Sequence, residues 1–222
     1  GNWIYFSQLL ADASKAYQRP TLTLSNIVLI QYTGGTTGTA KGAMLSHGNV
    51  IANLLQIDAL IRSAYDEEGQ EDIILASLPL YHVFSFTILP SVAKKWHTIT
   101  GLPIIEGYGL SETAPVITFN PLTIAEFTNK VGLPTPATDI ILLDNNDQPV
   151  RIGERGEIAV KGPQVMVGYR NLPVETANAF TATGYLRTGD IGIIDERGFI
   201  KIVKKKKDMI VVSGFNVYPN EI

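Results

Sequence analysis

Short apolar runs divided by turn-forming residues dominate the first part of the chain. Ile27-Val28-Leu29-Ile30 is compact, β-branched and stopped by Thr33-Gly34-Gly35, which predicts a buried strand. Apolar residues then recur at Val50, Ile51, Leu54, Leu55 and Ile57 with near-helical spacing. A helix is predicted over 46–65, with Ser46 as its N-cap. Between strand and helix lie a Gly/Thr loop and a short strand or turn. Phe6–Ala13 predicts a short amphipathic helix, broken at Arg19-Pro20. Ile73–Leu78 predicts a second buried strand, entered from the acidic connection Asp66–Asp72.

After residue 130 the pattern changes. Asp139–Leu143 reads as a strand, Asp144–Asp147 as a turn and Gly153–Gly156 as another. Glu157–Lys161 alternates like a half-buried strand, and Asp195–Gly198 between apolar runs predicts a hairpin. Short strands with tight turns predict an antiparallel sheet or distorted barrel beside the α/β part.

Composition narrows the classes. The 222 residues allow one large or two small domains. A net charge of −3 argues against nucleic-acid binding by bulk electrostatics. With no cysteine, disulfides and thiolate metal sites are excluded, and His47, His82 and His97 lack metal-ligand spacing. No run approaches the roughly 18 apolar residues of a membrane span. The first residues have no basic n-region, so a cytoplasmic protein is expected.

Candidate chemistry concentrates in Gln31–Gly42, where four glycines, four threonines and one lysine share twelve residues. Glycines let a backbone approach a ligand closely, and free N–H groups in such a turn make an anion site. Threonine hydroxyls add donors, and Lys41 adds a point charge suited to phosphate. The competing reading is a flexible surface turn. The loop is not a Walker A sequence, because Lys41 lies between Ala40 and Gly42. A second constellation is Gly107-Tyr108-Gly109-Leu110-Ser111-Glu112. Tyr108 offers a flat face between glycines, Ser111 a donor, and Glu112 a hard oxygen suited to Mg²⁺. Read as structure only, Ser111 would cap a helix. Asp190, after Gly189, is either a turn aspartate or a bidentate acceptor.

Tyr32–Gly42 resembles the phosphate-binding signature of the adenylate-forming superfamily, which contains acyl-CoA synthetases, peptide-synthetase adenylation domains and luciferases. Further blocks follow in the family's order. The resemblance implies an α/β large-domain core with a sheet-plus-helix subdomain and a small β-barrel-like subdomain. It places Thr33, Gly34, Gly35, Thr36, Thr37, Gly38 and Lys41 on ATP phosphates, and Gly107, Tyr108, Gly109 and Ser111 around the nucleotide. Glu112 would hold Mg²⁺, Asp190 the ribose hydroxyls, and His82 the border of the carboxylate pocket. Lys205 stands where the family has an arginine contacting ribose, and a lysine lacks that planar fork.

Leu78–Phe84, Lys161–Met166 and Asp208–Ile222 look closest to bacterial long-chain fatty acid–CoA ligases. That implies fatty acid, ATP and CoA as substrates, with thioester formation in two steps. A fatty acyl-AMP ligase or carrier-loading domain, and a non-catalytic nucleotide-binding fragment, are the alternatives. Family analogy alone suggests peripheral inner-membrane association, and a homodimer is left open. Residues 1–203 resemble a partial large domain, with a family segment missing near 86–92. Residues 204–207 match its hinge and 208–222 the start of the small domain.

Overall fold

The computed structural model describes residues 7–8, 20–33, 40–62, 98–99, 101, 105–124, 127–205, 210–212 and 215–217. Ser7 and Gln8 are helical. The rest of the helix predicted over 6–13, the strand predicted over 73–78, and the seam near 86–92 lie outside the described residues.

Strand β1 (Ile27–Thr33) pairs antiparallel with β2 (Lys41–Ser46), and Thr33 stands opposite Lys41. The strands that flank the Gly/Thr loop therefore form an antiparallel pair, and residues 34–39 between them lie outside the described residues. Helix α1 (His47–Arg62) follows directly. Its N-cap is Ser46 as expected: the Asn49 N–H donates to Ser46 Oγ at 3.2 Å, and Asn49 Oδ1 accepts the Ser46 N–H at 2.9 Å. This is the reciprocal pairing of a capping box, with asparagine in the glutamate place.

Three further β units complete the described fold. Strands β3 (Gly107–Gly109), β4 (Val116–Phe119) and β5 (Leu133–Pro134) form one antiparallel sheet. Strands β6 (Asp139–Leu143), β7 (Arg155–Lys161), β9 (Leu186–Ile194) and β10 (Ile200–Lys205) form another, in the order β10-β9-β7-β6. Strand β8 (Gly168–Tyr169) adds to the free edge of β2, and helix α2 (Pro173–Ala179) lies between β8 and β9. Strands β11 (Ile210–Val212) and β12 (Phe215–Val217) make a hairpin. The 139–205 sheet is open, so the barrel-like expectation resolves to a twisted four-stranded antiparallel sheet. Ala43, Leu45, Tyr108, Ile117, Ile158, Val160, Met166, Leu186 and Ile200 form the shared core.

Three local expectations are corrected. Strand β1 forms but is not buried: Ile27, Val28 and Leu29 are 40%, 48% and 44% exposed, because β1 packs chiefly on its hairpin partner and the turn at 111–113. The predicted alternation over 157–161 is absent. Strand β7 starts at Arg155 and is buried without a break from Gly156 to Val160, as befits an inner strand between β6 and β9. Helix α1 turns the apolar residues that predicted it outward, with Ile51, Leu54 and Leu55 exposed. Its buried side chains are Asn53 and Gln56.

Buried amides, with Val50 packed on the core beside them, therefore dock α1. Asn53 Nδ2 donates to the Val116 carbonyl at 2.7 Å, and Asn53 Oδ1 accepts the Val116 N–H at 3.3 Å. Gln56 Nε2 donates to the Pro136 carbonyl at 2.6 Å. Asn53→Leu leaves both Val116 groups buried and unpaired, so a loss of about 2–3 kcal/mol is expected. Leu54→Gln, on the exposed face, changes stability by less than about 0.5 kcal/mol. Urea midpoints of the two variants check the contrast.

Candidate active site

Lys41 stands at the start of β2, and Thr33 Oγ1 donates to its carbonyl at 3.4 Å. The Lys41 ammonium lies 5.3 Å from the centre of the Tyr169 ring. Gly34, Gly35, Thr36, Thr37 and Gly38, and also His82, lie outside the described residues.

Glu112 sits in a single 3₁₀ turn, Ser111–Thr113, directly after β3. The N-cap of that turn is Leu110, so Ser111 is its first residue and not its cap. The buried Thr113 ties the turn: its hydroxyl accepts the Leu110 N–H at 2.9 Å and donates to the Pro115 carbonyl at 2.7 Å. The Tyr169 hydroxyl donates to Glu112 Oε1 at 2.9 Å. That bond engages one carboxylate oxygen and leaves Oε2 to another partner. Burial and the adjacent Glu112 carboxylate push the Tyr169 phenol upward, so it remains a neutral donor. No group of three or more His, Cys, Asp or Glu occurs among the described residues. A lone carboxylate suits a magnesium ion that takes its other oxygens from phosphate and water, and does not suit a protein-caged metal.

Tyr108 and Asp190 meet across two sheets. The Tyr108 hydroxyl donates to Asp190 Oδ2 at 2.7 Å, and both residues are buried. Burial, then the charge of Asp190, raises the Tyr108 phenol well above its ordinary value, so it stays protonated. Glu112 contributes to the same rise. The glycines flanking Tyr108 serve packing within the chain. A Cβ on Gly107 would stand 2.9 Å from Phe119 Cδ2, and one on Gly109 would stand 1.6 Å from the Pro115 carbonyl oxygen.

Asp190 is neither at a strand entrance nor in a turn; it lies within β9 at an irregularity. The β7–β9 register jumps between Glu157/Ile191 and Ala159/Arg187, and Gly189 has φ +74°. Such a bulge re-aims the next side chain. The Thr188 hydroxyl donates to the Ile158 carbonyl at 2.9 Å, and Glu157 Oε1 accepts the Gly189 N–H at 3.2 Å. Lys205 is the cross-strand partner of Asp190 in the β9–β10 ladder.

The structure thus brings together Lys41, Glu112, Tyr108 and Asp190, with Lys205 opposite Asp190 in register. Sequence reasoning missed Tyr169, whose only signal was a Gly-Tyr pair like Gly107-Tyr108. It also missed Glu106. That carboxyl is buried next to β3, and its Oε2 has no hydrogen-bond partner. Asn120 donates its N–H to the Glu106 carbonyl at 2.8 Å, and its own buried Oδ1 is also unpaired. Desolvation pushes the Glu106 carboxyl up to about 7, against the lowering effect of the Lys130 and Asn129 N–H groups.

Lys41 at the base of the Gly/Thr segment, a carboxylate at a strand-to-turn corner and a buried aspartate on a bulged strand stand in an α/β protein. The chain belongs to the AMP-binding enzyme family, whose sequence model matches residues 3–91 and 87–170. The long-chain-fatty-acid–CoA ligase of Escherichia coli O6:H1 is 37% identical over 276 residues, covering 93% of this chain and 49% of that protein. The feruloyl-CoA synthase of an Amycolatopsis species is 28% identical, covering 90% of this chain and 53% of that protein. The ATP-bound crystal structure of MatB from Rhodopseudomonas palustris superposes with a TM-score of 0.82 at 28% identity, covering 97% of this chain and 55% of that one. The chain spans about half the length of the curated relatives it matches. No helix among the described residues is long and apolar enough to cross a membrane.

Glu106 generates a pH prediction. Its folded pKa lies above the usual 4.5, at about 7. Between those values the folded carboxyl keeps a proton that the unfolded chain has released, so stability falls as pH rises through that window. Glu106→Gln should flatten the Tm profile between about pH 4.5 and 7 relative to the parent chain. Thermal denaturation at a series of pH values checks it.

Proposed function

We propose that this chain is the nucleotide-binding core of an AMP-forming acid–thiol ligase that activates a long-chain fatty acid and passes it to CoA. The convergence of Lys41, Glu112 and the Tyr108–Asp190 pair carries this reading. The substrate assignment rests on the fatty-acid ligases among the relatives.

The steps follow from the residues. The segment 34–40, with Thr33 and Lys41, would cradle the β- and γ-phosphates of ATP. Magnesium bound at Glu112 would neutralise phosphate charge. Asp190, held through Oδ2 by the Tyr108 hydroxyl, would accept from the ribose hydroxyls. Tyr108 is 2% exposed, so its role here is to hold Asp190; stacking on adenine would require a face of its ring to be uncovered. The fatty carboxylate oxygen attacks the α-phosphorus, and pyrophosphate leaves with the bonding pair. The CoA thiolate then adds to the acyl carbon and expels AMP. Positioning and charge stabilisation account for the protein's part. His82 would border the acyl end, and Lys205 would take the weaker ribose contact of a lysine.

A second reading concerns the chain by itself. The exposed apolar faces of β1 and α1 call for cover that the described residues do not supply. The alignment to the E. coli ligase runs over 276 residues against 222 here, and the family match breaks into two stretches at 87–91. These support further chain between the two stretches; hinge and small-domain roles for 204–207 and 208–222 rest on the sequence resemblance alone. The 222-residue chain alone is then expected to bind ATP weakly and not to turn over.

Fatty-acid-dependent exchange of pyrophosphate into ATP tests both readings. The longer natural protein carrying this chain should catalyse it, and Asp190→Ala should weaken ATP use by about tenfold to a hundredfold. Exchange driven by no fatty acid, or acyl transfer to a phosphopantetheinyl carrier and not to CoA, would overturn the substrate assignment. Turnover by the isolated 222 residues would overturn the second reading.

A further inference from the structure

The segment Met166–Arg170 contains no residue of the phosphate loop, the metal corner or the ribose site, yet it touches the first two. The Met166 N–H donates to the Glu112 carbonyl at 2.7 Å. The Val167 N–H donates to the Met44 carbonyl at 3.0 Å, and the Arg170 N–H to the Gly42 carbonyl at 2.8 Å. In the ladder, Gly168 and Tyr169 stand opposite Met44 and Ala43. One short strand thus ties the turn that carries Glu112 to the strand that carries Lys41.

Tyr169 is the side chain that completes this link. Its hydroxyl donates to Glu112 Oε1 at 2.9 Å, while the Lys41 ammonium lies 5.3 Å from its ring centre. Its own N–H is fixed by Thr176 Oγ1 at 2.9 Å, and that threonine hydroxyl donates to the Leu172 carbonyl at 2.8 Å. A half-buried phenol anchored at its backbone therefore meets a carboxylate with its tip and a cation with its face. Each contact is of modest strength singly. Together they place one aromatic side chain in contact with both a positive and a negative group.

We infer that Tyr169 is a positioning residue that holds Glu112 in place for a magnesium–nucleotide complex and keeps Lys41 apart from it for phosphate. The inference rests on the nucleotide reading above and adds to it a residue that does not itself touch phosphate. One oxygen of Glu112 is occupied by the phenol, so the carboxylate is oriented before any ion arrives. Partners that orient a metal-binding carboxylate are commonly worth about tenfold to a hundredfold in metal affinity.

The contributions of the two Tyr169 contacts can be separated. Tyr169→Phe removes the hydroxyl and keeps the ring over Lys41, whereas Tyr169→Leu removes both. Isothermal titration of ATP into the longer natural protein, with saturating Mg²⁺ and again in EDTA, gives a readout independent of turnover. Tyr169→Phe should weaken ATP binding about tenfold in Mg²⁺ and raise the half-saturating Mg²⁺ concentration, with little change in EDTA. Tyr169→Leu should weaken binding in both conditions. In a Glu112→Gln background, adding Tyr169→Phe should cause no further loss. A merely structural role would instead give equal losses with and without Mg²⁺, additive with Glu112→Gln, and that pattern overturns the inference. Unchanged binding by Tyr169→Phe in a parent that binds ATP overturns it too and leaves the nucleotide reading standing. A parent that binds no ATP in either condition removes both.

Discussion

One buried side-chain hydrogen bond, from the Tyr108 hydroxyl to Asp190, joins two sheets that also meet through apolar packing and through the backbone pairing of Val131 and Gly132 with Ile200. Both partners are withdrawn from water, and a carboxylate in that setting is costly unless it is paired. The bond therefore fixes the relative placement of β3 and β9 in a way that side-chain volume alone could not. Everything near it is arranged to keep it: the bulge at Gly189, the Thr188 anchor on the β7 backbone, and the flanking glycines that let β3 press against Phe119 and Pro115.

A second connection works through the backbone. Strand β8 contains only Gly168 and Tyr169, but the N–H groups of Met166, Val167 and Arg170 around it reach both the Glu112 turn and β2. The acidic turn at Glu112 and the strand that starts at Lys41 are thus held by one element that carries neither residue. Such division of labour keeps a site precise, because the reactive side chains need not also hold the fold together.

Much of this was legible in the sequence, for physical reasons that can be named. The cap at Ser46, the turn at 144–147 and the hairpin at 195–198 are local features, determined by residues close in the chain. Asp195 illustrates the point: it accepts the Arg197 and Phe199 N–H groups two and four residues away. Pairings distant in sequence were not legible. Tyr169 is 57 residues from Glu112, and Tyr108 is 82 from Asp190. The close packing of the glycines at 107 and 109 was not legible either, because their neighbours Phe119 and Pro115 come from beyond the β3 turn. The inward face of α1 was misread because apolar periodicity was taken as the only force that docks a helix, whereas here hydrogen-bonded amides do so.

That last feature sets how the fold can change. Helix α1 is keyed to β4 by a two-way amide contact, Asn53 with Val116, that tolerates one rotational setting. Turning the helix by a single residue, about 100°, would strand several polar groups in the interior. Its outer surface is under no such demand. Substitutions at Ile51, Leu54 or Leu55 can alter whatever lies over them without disturbing how the hairpin that precedes the helix is aimed. The chain therefore separates, within one helix, the side that preserves a nucleotide site from the side free to be refitted to a different neighbour.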